Sequence, residues 1–196
     1  MELYHSPWEA YPFLSDAPED LRCDFELLTD EIASRTGLLR SQVEDETLRA
    51  ELLRVCELVY HANPTLRTRF TVTPEEIQWL ADVCERLRGQ SEGRCARFVL
   101  PQGCTTACTA HILRVQCKAL VRLLYRHAHQ GHPVEPALLD LANLLSGFLP
   151  AGSGAERPRR AGGSRIRQQK LLTIPIPFIQ EKPKSANQTH PSAFSF

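Results

Sequence analysis

A chain of 196 residues with 42% hydrophobic content can bury one good core, and no run approaches the ~20 apolar residues that cross a bilayer. The formal charge of zero hides a split: from Ala151 onward eight Lys/Arg stand against Glu156 and Glu181, so the tail is +6 and residues 1–150 are −6. An acidic body is no footprint for nucleic acid. Met1 precedes no export signal, so the expectation is a cytoplasmic chain whose seven cysteines are reduced thiols.

Residues 1–17 carry two prolines and four aromatics without helical periodicity, which predicts an extended N-terminal arm. From Pro18 the pattern changes. Leu21, Phe25, Leu28 and Ile32 recur at helical spacing to about Arg35, where Gly37 is placed to end the run. A second helix is predicted from Asp45 to His61, with Leu48, Leu52, Val55, Leu58 and Val59 on one stripe, stopped at Asn63-Pro64. The third begins with Thr73 as N-cap, Pro74 in the first helical position and Glu76 as the capping-box acid; Ile77, Leu80 and Leu87 form its apolar face. A long fourth helix is predicted from Thr105 to His129 and a fifth from Pro136 to Leu149.

No segment alternates with period two, so the prediction is an all-α five-helix bundle over 18–150. Beyond it, Ala151–Gly154 and Ala161–Ser164 read as flexible linker, and 151–196 as a basic, disordered tail. Leu171–Ile179 (LLTIPIPFI) is its one sticky stretch. The prolines forbid a helix there, leaving an extended peptide in a groove or plain disorder.

The chemistry concentrates in Arg97–Arg122, RFVLPQGCTTACTAHILRVQCKALVR. Arg114, Lys118 and Arg122 lie four apart, a column of cations along one helix face. Such a column suits a polyphosphate held by charge-assisted hydrogen bonds, or it is simply a solvated basic stripe. Cys104, Cys108 and His111 also share a face and are soft-metal ligand types, although cysteines at such places usually fill packing gaps. His127, His129 and His132 crowd the end of the fourth helix, where positive charge suits the dipole.

This stretch, with its Phe-Val-Leu-Pro-x-Gly turn followed by His111, Arg114, Cys117, Lys118 and Arg122, resembles without a gap the signature of the propanediol-utilisation type of ATP:cob(I)alamin adenosyltransferase. Weaker matches flank it: Leu28–Glu31, Thr73–Leu80 and Asn143–Ser146. The resemblance spans about residues 20–150. It implies a corrinoid adenosyltransferase. Cob(I)alamin attacks the 5′ carbon of ATP, giving adenosylcobalamin and triphosphate, with Mg2+ accompanying the nucleotide. By the same resemblance Arg114, Lys118, Arg122 and Asn143 bind ATP, and Asp30 pairs with Arg114. Phe98 is the aromatic that contacts the corrinoid and displaces its lower axial ligand. The implied assembly is a homotrimer with sites between subunits, and the implied protein partners are a flavoprotein reductase or an adenosylcobalamin-dependent enzyme.

The sequence also departs from the family pattern. No glycine precedes Gly37, so the family's N-terminal Gly-rich nucleotide loop is absent. Val121 stands where the family has Glu, Ala119 where it has Arg, and Gly147 where it has Asp. These departures leave a second reading open, a non-catalytic relative that binds corrinoid as a regulatory or delivery subunit.

Overall fold

Helix starts follow directly from side chains that satisfy the first free backbone N–H groups. In the computed structural model, which describes residues 4–90 and 103–152, α1 spans Leu21–Gln42 and is capped by Asp20, whose carboxylate accepts from Arg22 N at 3.1 Å. The hydrogen bonds from Arg22 also hold the Asp20 carboxyl well below the usual range. Helix α2, Glu46–Ala62, is capped by Asp45, which accepts from Leu48 N at 2.8 Å. Helix α3, Pro74–Gln90, starts on a reciprocal capping box. Thr73 N donates to Glu76 Oε2 at 2.8 Å, and Glu76 N donates to Thr73 Oγ1 at 3.3 Å. Helix α4 spans Thr105–His129 and α5 spans Pro136–Gly152. Gly131, at φ +89°, supplies the left-handed residue in the turn between them.

Among the described residues these five helices are the only regular elements, and all lie in one compact unit. No helix among them is long and apolar enough to cross a membrane. Helix α1 packs on α2 and α4, and α5 packs on α4 and α3. The core collects Phe25 and Ile32 of α1, Leu52, Val55 and Leu58 of α2, and Leu80 of α3. Leu113 and Leu124 of α4 join Leu138, Leu141 and Phe148 of α5. Burying each such side chain contributes about 1.5–3 kcal/mol.

Three features differ from the sequence expectation, the smallest being the end of α5, which runs past Leu149 to Gly152, two residues into the stretch read as linker. Helix α1 runs through Gly37 to Gln42. A helical glycine costs roughly 1 kcal/mol, which burial of Leu39 just beyond it offsets. The extra turn docks on α4: Thr106 Oγ1 donates to Gln42 O at 3.3 Å and Thr109 Oγ1 to Gln42 Oε1 at 3.0 Å. The segment before α1 is coiled, not extended, with turns closed by Glu9 N to Ser6 O, Leu14 N to Tyr11 O and Asp16 N to Phe13 O.

Arg67 holds that segment to the bundle. Its Nη2 donates to Asp16 Oδ2 at 2.6 Å, its Nε donates to both Glu26 oxygens at 2.8 Å, and its guanidinium stacks 3.6 Å from the Phe13 ring centre. Asn63, just past α2, donates from Nδ2 to Glu26 O at 2.8 Å and to Thr29 Oγ1 at 2.7 Å, tying α2 to α1.

Candidate functional site

The apolar stripe of α4 fixes where its cations point. Leu113, Cys117, Leu120 and Leu124 face inward and are buried. Arg114, Lys118 and Arg122 follow them around the helix; Lys118 and Arg122 are exposed and Arg114 is half-buried. None of the three forms an ion pair among the described residues. Arg114 Nε is buried without a hydrogen-bond partner, a costly state for a charged donor unless a ligand completes it. The column is therefore an uncompensated line of positive charge on an acidic body.

Asp30 is exposed on α1 and accepts a hydrogen bond from Tyr60 Oη on α2 at 3.1 Å. That contact pushes the Tyr60 hydroxyl pKa up. The pairing of Asp30 with Arg114 that the family resemblance implies is not made within one chain. Phe98 lies outside the described residues. Asn143 is exposed on α5, donates from Nδ2 to Leu139 O at 2.8 Å, and lines a cleft between α3 and α5. Arg114, Lys118 and Arg122 do not line that cleft.

Cys104 acts as the N-cap of α4, its sulfur accepting from Ala107 N at 3.4 Å. Cys108 Sγ points to Gly103 O at 4.0 Å. Among the described residues no group of three or more His, Cys, Asp or Glu side chains is placed to hold a metal. Cys117 is fully buried, and burial pushes its thiol up to about 12, so it stays protonated and serves packing. His127 is buried with Nδ1 unpartnered and its ring stacked on His132, centroids 4.6 Å apart. Burial lowers its pKa, with His132 and Arg22 acting the same way and Asp20 against.

Tyr60 and Arg88, which lines the same cleft as Asn143, were not singled out by the sequence. Each matters only through a neighbour on another helix, Asp30 for the first and Gly147 for the second, and no spacing along the chain encodes such a contact.

An all-helical bundle with a bare cation column on one long helix is the class of protein defined by this geometry. The profile of the cobalamin adenosyltransferase family matches residues 19–151, and the chain belongs to that family. Among solved structures, the fold is similar to two variants of a PduO-type ATP:corrinoid adenosyltransferase from Lactobacillus reuteri, each complexed with cobalamin and ATP. In one a phenylalanine is replaced by histidine, and in the other by alanine. Both share 19% identity with this chain at a TM-score of 0.59 over 68% of it, covering 76% and 78% of their own chains respectively. No curated protein matches the sequence.

Proposed function

We propose that this chain transfers the 5′-deoxyadenosyl group of ATP to cob(I)alamin, forming the cobalt–carbon bond while the carbon–oxygen bond to triphosphate breaks. The observation that carries this reading is the α4 column, above all Arg114 with its buried, unpartnered Nε. Three aligned cations would hold the triphosphate and take up the charge it gains on leaving, which lowers the barrier only where that charge develops. Mg2+ would arrive on the triphosphate oxygens. Bound there, it would neutralise phosphate charge.

Asp30 would complete the site from a neighbouring copy in a closed homotrimer, since its own Arg114 is not its partner. Phe98 would act on the corrinoid face, displacing the lower ligand so that cobalt is more easily reduced by a flavoprotein reductase. The setting is the cytoplasm, with residues 153–196 a basic tail separate from the chemistry.

The test is an anaerobic assay with chemically reduced cobalamin and ATP. Loss of the Co(I) absorption should accompany triphosphate release, Arg114→Ala should abolish both, and Lys118→Arg should retain them, because a planar fork grips phosphate at least as well. The missing glycine loop before Gly37 favours a second reading, a corrinoid-binding relative without catalysis. Tight corrinoid binding with no triphosphate from the wild type would establish that reading and overturn the first.

A further inference from the structure

Helices α3 and α5 frame a cleft of about 390 Å³, within the ~300–1,000 Å³ range of small-molecule sites. Ile77, Leu144 and Cys84 give it an apolar lining. Cys84 donates to Leu144 O at 3.5 Å, and burial pushes its thiol up to about 11 against the opposing charge of Arg88, so it is neutral.

The polar groups are sorted along the cleft. A Cβ built on Gly147 would stand 4.0 Å from Arg88 Nη2. Cys84 beside Leu144 and Arg88 beside Gly147 show that the two helices run in the same direction here. Asp140 lies two turns before Gly147 on α5, about 10 Å at the ~1.5 Å rise per residue. The cleft thus has a cationic end at Arg88, an acidic end at Asp140, and the Asn143 amide between them. Arg88 is exposed and forms no ion pair among the described residues. The residue facing it has no side chain, which leaves open the space a carboxylate on α5 would fill.

We propose that this cleft binds a small phosphate ester. The phosphate seats on the Arg88 guanidinium in front of Gly147, two oxygens matching the two-pronged donor. The ester's polar body runs past Asn143, and its hydroxyl or amino groups donate to Asp140. This goes beyond the transferase reading: the cleft shares Asn143 with the ATP site that the resemblance implies, but the α4 column does not line it, so variants at Arg88 and Arg114 separate the two.

Adenosine monophosphate and inorganic phosphate serve as probes, followed by backbone amide shifts and calorimetry on the full chain. Adenosine monophosphate should move the amides of the last turn of α3 and of residues 143–147, and bind more tightly than phosphate alone. Arg88→Ala should weaken it by roughly tenfold, about 1.4 kcal/mol. Gly147→Asp should do the same while leaving the melting temperature near wild type, since it places an internal carboxylate against Arg88. Arg114→Ala should leave these shifts intact. The proposal is overturned by absence of cleft shifts at millimolar probe, or by Gly147→Asp binding as well as wild type. It is equally overturned if phosphate alone binds as tightly as the ester. If Arg114→Ala removes the shifts, the anion sits on α4, and the cleft proposal fails while the transferase reading stands.

Discussion

Replacing Arg67 by Met keeps most of the side-chain volume and removes the charge, so it isolates the electrostatic part of the contact that holds the N-terminal segment. The Arg67 side chain is 12% exposed, Glu26 7% and Asp16 24%. Without the guanidinium, Asp16 can rehydrate and Glu26 cannot. Breaking a buried pair by removing one partner costs about 3–5 kcal/mol, and the partial exposure of Asp16 places Arg67→Met at the lower end, about 3 kcal/mol. For a chain of this size that is a fall in melting temperature of roughly 6–12 °C. Urea unfolding should show the same loss as a lower midpoint with unchanged slope. Adding Glu26→Gln removes the stranded charge, so the double variant should recover at least half of the loss relative to Arg67→Met. A double variant as unstable as the sum of the two single changes would refute the reasoning, since it would mean that Arg67 and Glu26 do not interact.

Two further outcomes follow from contacts between helices. His127 has a folded-state pKa below its unfolded value. Its contribution to stability is therefore full above about pH 6.5 and is lost as pH falls toward the folded value, because the unfolded chain takes up the proton first. Melting curves at falling pH should steepen this loss in wild type relative to His127→Gln, and parallel curves would contradict it. Tyr60→Phe removes only the hydroxyl that holds Asp30. If Asp30 serves a neighbouring Arg114, KM for ATP should rise roughly three- to tenfold, the scale of one net hydrogen bond, with little change in melting temperature; an unaltered KM would show that the bond is incidental.

The helices were legible wherever chemistry local in sequence decides them. Thr73, Pro74 and Glu76 announced α3 through the same capping box that the structure forms, and the apolar stripe of α2 named its buried face. Local signals failed where a distant partner prevailed. Gly37 looked like a stop, yet Gln42 finds its hydrogen bonds on Thr106 and Thr109 of α4, so the helix continues. The N-terminal segment looked extended because nothing in residues 1–17 reveals that Arg67 will reach Asp16 and Phe13. For the site, the spacing of Arg114, Lys118 and Arg122 was readable from one helix. The partner of Asp30 was not, because Tyr60 lies on another.

The seating of α4 by α1 has a bearing on the cation column. Gln42 grips Thr106 and Thr109 from more than sixty positions upstream, so the rotation of α4 about its axis is held by α1. The aim of Arg114, Lys118 and Arg122 therefore depends on the last turn of α1, so a change at Gln42 acts on the column from a distance.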